Sequence, residues 1–523
     1  MSDGPGSAAG APGSLCALFA RALRTWPAQP AVVTDGETLT YAELGRRAYG
    51  VARLLAEGPA RNPRVAILSE GGLAHVVLYW GVLLAGRVSV ELNPGLGDTE
   101  LATQLENAEP DLLIADKPQA ARLLALAAIL SRTSTQTTVL EEAGDSADGL
   151  GARLLAAVEG RGEEPAPGPD AGPDPGTAES DLASIVYTSG TTGRTKGVCL
   201  SHGNLAWTTR AIAESFELGP GGEAERFSGF LPLYYTYGKS VLHLATWLGA
   251  PLVFTRRLAS PANLIEVLKA ARITHLSAVP YLCNVLLASP AFTAAALPDL
   301  RRITIAGGAV SESAMAKLLE RFPDMIVPMY GLTEASTRVA CMPPGAAAGR
   351  PRACGKPLGG VEVKILEAKS PGGEGEIAVR GPNVMAGYFR DEAATARVMA
   401  GGWLRSGDLG TLDAEGYLTV SGRLKDVIKV MGESVSPFAI ESVIAALSGV
   451  AEVAVKGVPD AMAGEAIAAF VVLETGAEVS EAEICSECAQ KLGRARVPTH
   501  VRFVTALPKT ASGKVRKHLL AGV

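Results

Sequence analysis

The sequence predicts an α/β fold: a large N-terminal domain of stacked αβ subdomains, a β-rich subdomain at its end, and a small α+β C-terminal domain. Three observations carry this. Short apolar runs such as "RVAILSE" (64–70), "RVSVEL" (87–92) and "DLLIAD" (111–116) alternate with helix-spaced segments, the pattern of mostly parallel sheets. From about Gly355 the runs become "VEVKILEA", "GEIAVRG" and "GYLTVSGR", separated by Gly-rich turns, as in a smaller β-rich unit. "GRLKDVIKVMGE" (422–433) then introduces a last segment of about a hundred residues.

Taken in order, Leu15, Leu18, Phe19 and Leu23 repeat at helical spacing. "HVVLYWGVLLAG" (75–86) is too short to span a bilayer and reads as a buried helix. "EGRGEEPAPGPDAGPDPGTAES" (159–180) is dominated by Pro, Gly and Asp and reads as an exposed linker. "LASIVYTS" (182–189) is a strand that runs into a glycine-rich loop, and "APLVFT", "ITHLSAVP" and "RRITIAGGA" are later strands.

The chain has 523 residues, 47% hydrophobic and 20% charged, with formal net charge −6. That suits a multidomain globular enzyme and argues against a nucleic-acid binder, which needs clustered Lys and Arg. The N-terminus lacks the basic start and apolar core of a secretory signal, so a cytoplasmic address without a membrane span is expected. Seven scattered cysteines are not a disulfide framework. Cys485 and Cys488 form a lone C-x-x-C at helical spacing with Ile484 and Leu492, which reads as packing rather than a metal or redox site.

"TSGTTGRTKG" (188–197) is built to hold phosphate. Gly190, Gly193 and Gly197 allow close backbone approach to an anion; Thr188, Ser189, Thr191 and Thr192 offer hydroxyl donors; Lys196 adds a mobile positive charge. It is not a Walker A loop, because Thr195 stands where glycine would precede the lysine. Read blind, such a loop is also compatible with a plain surface turn.

Together with "AGGA" (306–309), "YGLTEAS" (330–336), "WLRSGDLG" (403–410), "GRLKDVIK" and "PKTASGKVRK" (508–517), this loop closely resembles the motifs of the adenylate-forming superfamily: acyl-CoA synthetases, adenylation domains and luciferases. The motifs stand in family order over most of the chain, and the chain is most like a stand-alone acyl- or aryl-CoA ligase. The resemblance implies an acid–thiol ligase using ATP, Mg²⁺ and coenzyme A, with an adenylation core over 1–422, a hinge over 423–426 and a mobile C-terminal domain over 427–523. It implies that Lys514 bridges the carboxylate and the α-phosphate, and that Glu334, with Thr188, holds Mg²⁺ against the phosphates. Thr188 and Thr333 would bond phosphate oxygens, Asp408 the ribose with Arg423 in support, and Tyr330 would lie beside adenine. Gly307, Gly308, Ala309 and Gly331 would line the nucleotide site with the 188–196 loop. Taken singly, Glu334 reads equally as a helix cap, Asp408 as a turn residue and Lys514 as a solvated charge.

In a second step, the domain is expected to rotate at Lys425, withdrawing Lys514 and bringing Gly432 of "KVMGES" to the acyl carbon. Ala439 departs from the glutamate of many relatives, a small loss of helix N-terminal charge. "FLPLYYTYGKSV" (230–241) resembles the segment flanking the acyl pocket, expected to be lined by Tyr235, Tyr237, Gly238, Gly307, Gly331 and Leu332. Thr236 stands where amino-acid-activating relatives place an aspartate, which disfavours α-amino acids. Tyr235 replaces a common gating histidine. Lys239 is expected to snorkel to the surface, the other reading being a partner for a polar or second acidic group on the substrate. The acceptor is coenzyme A or, alternatively, the phosphopantetheine of a free-standing carrier protein. A non-catalytic adenylate-binding protein is the reading from another class. Family habit allows a monomer or a homodimer.

Overall fold

The computed structural model describes residues 13–57, 63–141, 149–161, 176–189, 195–221, 224–255, 260–368, 370, 372–431, 433–460, 462–474, 476–509 and 515–520. Gly190, Thr191, Thr192, Gly193, Gly432 and Lys514 lie outside the described residues, as does the side chain of Ser189.

Two mostly parallel sheets build the large domain. Among the described residues, one has seven strands, running from Gly387–Tyr388 through Thr195–Ser201, Leu182–Ser189, Val88–Leu92 and Arg64–Leu68 to Leu112–Asp116 and Gln136–Leu140. Every residue of Arg64–Leu68 and Val88–Leu92 is buried, as expected of parallel strands covered on both faces. The second sheet has nine strands, with Phe227–Ser228, His275–Ala278, Arg302–Ile305 and Ile326–Tyr330 in its parallel centre.

Helix Gly72–Leu84 is buried continuously from His75 to Leu84, so its apolar run serves the core. Phe19 stacks on Trp80 with ring centres 4.4 Å apart. Tyr79 meets His243 of helix Thr236–Leu248 at 2.9 Å. No helix among the described residues is long and apolar enough to cross a membrane.

The expected snorkelling of Lys239 does not occur. Helix Thr236–Leu248 has no wet side at that position: Lys239 is 1% exposed and its Nζ donates to Ser184 Oγ at 2.7 Å. Burial pulls its ammonium down to about 8, opposed by the charge of Glu91, which pairs with His75 at 2.5 Å. The partners of this lysine are protein groups, not solvent.

The β-rich subdomain pairs Glu362–Leu366, Gly375–Arg380, Trp403–Leu412 and Leu418–Arg423 as antiparallel neighbours. One 3₁₀ turn, Leu424–Asp426, with Leu424 and Lys425 exposed, leads into the small domain. That domain has its own sheet, in which His500–Phe503 runs parallel to Gly464–Leu473. Ile428, Ile440, Ile444, Ile467, Ile484 and Cys488 form its aliphatic core, so Cys488 packs, as the C-x-x-C spacing suggested.

Candidate functional site

The phosphate-type loop is carried by a hairpin. Leu182–Ser189 pairs antiparallel with Thr195–Ser201, setting Thr188 opposite Lys196. Gly387–Tyr388 adds on the other side of Thr195–Ser201. This brings Tyr388 beneath Lys196, whose Nζ is 4.7 Å from the ring centre. The Tyr388 hydroxyl donates to Glu334 Oε1 at 2.9 Å. Burial, then the neighbouring Glu334 charge, push this phenol above its ordinary range, so it stays a donor. The hairpin lysine and the glutamate of "YGLTE" are thereby joined through a tyrosine that the motifs did not single out.

Asp408 sits on Trp403–Leu412, directly across from Arg423 on Leu418–Arg423. Arg423 Nε lies 2.9 Å from Asp408 Oδ1, and the Tyr330 hydroxyl donates to Oδ2 at 2.7 Å. Burial and then Asp408 raise the Tyr330 phenol well above its usual value, keeping the proton on tyrosine. Two partners leave lone pairs on the carboxylate for a diol.

Gly307, Gly308 and Ala309 form an exposed turn after strand Arg302–Ile305. Gly307 has φ +88°, a conformation glycine takes without strain. Its missing side chain would touch Val279, and that of Gly308 would touch Pro280. A Cβ on Gly331 would overlap the Thr337 carbonyl, so the 331–337 turn closes only with glycine there. Leu332, Thr333 and Glu334 are half-buried along that turn.

In the acyl segment, Tyr235 precedes helix Thr236–Leu248 and its hydroxyl accepts from Asn93 Nδ2 at 3.2 Å. Tyr237 reaches inward and bonds Thr304, 2.9 Å to Oγ1. Gly238 faces the carbonyls of Leu231 and Pro232, so it sets the path of the backbone.

From the small domain, Lys509 pairs with Val515 and Arg516 N–H donates to Pro508 O at 2.7 Å. Lys509 Nζ is 5.4 Å from the ring centre of Tyr281. Tyr281 stands on helix Pro280–Leu287, which begins beside Gly307 and Gly308.

Among the described residues no cluster of three His, Cys, Asp or Glu forms a free-standing metal cage. A single carboxylate, Glu334, fits Mg²⁺ that takes its other ligands from phosphates and water.

The AMP-binding enzyme family matches residues 19–389, and the AMP-binding enzyme C-terminal domain matches 439–514. A feruloyl-CoA synthase from an Amycolatopsis species is 33% identical over 502 residues, spanning 95% of this chain and 96% of that protein. ATP-bound MatB from Rhodopseudomonas palustris superposes with TM-score 0.85 at 31% identity, covering 97% of this chain and 98% of that one. The o-succinylbenzoate CoA synthetase MenE from Bacillus subtilis, in complex with its acyl-adenylate intermediate OSB-AMP, gives 0.82 at 27%, covering 97% and 98%. With both parts of the family matched in order across one chain, the protein is a member of the AMP-binding enzyme family.

Proposed function

We propose that this enzyme activates a carboxylic acid with ATP and passes the acyl group to the thiol of coenzyme A. The observation that carries the reading is that the two motif carboxylates are each held by protein donors while the glycine turn stays exposed. Asp408 is held by Tyr330 and Arg423, Glu334 by Tyr388 beside Lys196, and Gly307–Gly308 lies open.

In the first step a substrate carboxylate oxygen attacks the α-phosphorus, an O–P bond forms, and pyrophosphate leaves. Both reactants are anions, so the chain's work is placement and charge neutralisation. Lys196 and Thr188 would face the departing phosphates, and Asp408 would accept the ribose hydroxyls. Mg²⁺, held by Glu334, would neutralise phosphate charge. Lys514, in the segment between the paired residues Lys509 and Val515, would bridge the carboxylate and the α-phosphate. In the second step the thiol sulfur attacks the acyl carbon and AMP leaves, after the small domain turns about the exposed Lys425 and presents Gly432.

The names of the relatives favour coenzyme A as acceptor and span chemically different acids, so they do not choose the acid. The test is acid-dependent pyrophosphate release over a panel of acids, with and without coenzyme A, followed by mass spectrometry. Acyl-CoA from one acid class is expected. Adenylate without acyl-CoA would redirect the second step to a carrier protein. Absence of pyrophosphate with every acid would overturn the reading. Asp408→Ala is expected to lower kcat/KM for ATP at least about 100-fold, since a charged hydrogen-bonding partner is lost.

A further inference from the structure

The large and small domains meet, among the described residues, both at the hinge and away from it. At the hinge, Ser436 Oγ donates to the Ser421 carbonyl at 2.9 Å, across the Leu424–Asp426 turn. Away from it, Lys509 of the small domain faces the ring of Tyr281 in the large one, with Nζ 5.4 Å from the ring centre.

The two ends of this second contact are built differently. Lys509 is held within its own domain. Its Nζ bonds Glu452 Oε1 at 2.5 Å, and Glu452 stands on strand Val450–Asp460. Its backbone pairs with Val515, and Arg516 N–H donates to Pro508 O beside it. A lysine on a free loop samples many rotamers. One already ion-paired has less entropy to lose when it meets a second partner.

Tyr281 has no such support. It is 53% exposed and stands near the start of helix Pro280–Leu287. The residue before it, Pro280, lies where a side chain on Gly308 would touch it. A large ring left half in water beside the exposed glycine turn completes no core. What it offers is a π face, which attracts a cation.

Such a contact is weak. A cation over a part-exposed tyrosine shifts an equilibrium about two- to fivefold. That strength suits a contact that forms for one half-reaction and breaks for the next. Resting on the two-step function proposed above, we infer that Lys509 is a positioning residue of the first step. Preset by Glu452, it docks on Tyr281 and holds the small domain beside the glycine turn while the acyl adenylate forms. Lys514 lies between Lys509 and Val515 in the sequence, so the contact fixes one end of the segment that contains it. Rotation about Lys425 for thiol transfer releases the contact.

The test separates the half-reactions. Pyrophosphate release without coenzyme A, with the acid that the panel selects, reads the first. Chemically prepared acyl adenylate of that acid, mixed with coenzyme A, reads the second. Tyr281→Leu and Lys509→Met are made singly and together. Glu452 is part-exposed, so Lys509→Met leaves no buried charge behind. Each single substitution is expected to slow pyrophosphate release about two- to fivefold. The double variant should be no slower than the slower single, because both remove the same contact. Acyl-CoA formation from the adenylate should keep its rate or rise. Tyr281→Phe keeps the ring and should restore the first step.

Equal slowing of both half-reactions would overturn the inference and leave the ligase reading standing. So would losses that multiply in the double variant, or a Tyr281→Phe enzyme as slow as Tyr281→Leu. Hydrogen–deuterium exchange over residues 281–287 reads the contact without any acid, and should rise about two- to fivefold in Lys509→Met. Unchanged exchange there would overturn the inference. A rise with no pyrophosphate from any acid would uphold Lys509 as the residue that docks the small domain and sink the ligase reading.

Discussion

Lys239 and Arg338 are two cations buried almost completely in the same domain, at 1% and 2% exposure. Lys239 is provided for: Ser184 accepts its proton, Glu91 supplies the opposite charge, and Tyr79 presents its ring 5.6 Å away. Arg338 has a thioether and an aromatic face. Burial alone therefore says little about what a charge is for. The presence or absence of a protein counter-ion separates a cation tied into the core from one buried without an opposite charge.

The sharpest way to break this comparison is to remove each cation. Lys239→Met leaves Glu91 with one fewer opposing charge and Ser184 without its donor, and should cost about 3 kcal/mol of stability. Arg338→Met removes an unpaired charge for a side chain of similar reach, and should leave stability unchanged or raise it by about 1 kcal/mol. Urea unfolding of both variants checks this. Equal losses would make both cations structural and erase the contrast between them.

A smaller effect extends the comparison to the nucleotide end, where carboxylates arrive already paired by protein donors. Tyr388→Phe removes the hydroxyl that orients Glu334 without removing a charge. The Mg²⁺ concentration for half-maximal pyrophosphate release should rise about tenfold, as for other residues that orient a metal ligand, with little change in unfolding. An unchanged Mg²⁺ dependence would detach Tyr388 from the metal and leave it as packing beneath Lys196.

The sequence carried the parts of this site that lie in short contiguous motifs. Asp408, Tyr330 and Glu334 can be singled out because each stands in a short glycine-containing motif that resembles the family's, and the alternating runs announce the parallel strands. Tyr388 was not legible. It stands in "MAGYFR", far along the chain from Glu334, and reaches it only because Gly387–Tyr388 pairs with Thr195–Ser201. The burial of Lys239 is hidden for a related reason: it is the one residue of Lys, Arg, Asp or Glu type in its helix, which suggests an edge. The strand that supplies Glu91 and the strand that supplies Ser184 wrap that edge from distant sequence. Arg338, alone in "STRVACM", carries no periodic signal that tells an inward charge from an outward one. Pairing across non-adjacent strands decides all three, and periodicity does not encode it.

The smallest effect reads Lys239 through pH. Its folded-state value lies near 8, below the ordinary 10.5, because burial disfavours the ammonium more than Glu91 favours it. His243, packed against Tyr79 and pulled to about 3 by burial and then by Lys239, stays neutral throughout and adds no charge change. Between about pH 8 and 10.5 the unfolded chain therefore holds a proton that the folded protein has released. Stability gains with pH wherever the unfolded state binds more protons. The wild type should thus gain on Lys239→Met as pH rises, by a few tenths of a kcal/mol from pH 7 to 8 and more steeply above. Parallel urea titrations of the two proteins at each pH isolate the term, since other groups cancel in the difference. A difference that falls with rising pH would mean that Glu91 holds the lysine charged beyond its unfolded value. Lys239 would then be a strong ion pair, and its contrast with Arg338 greater still.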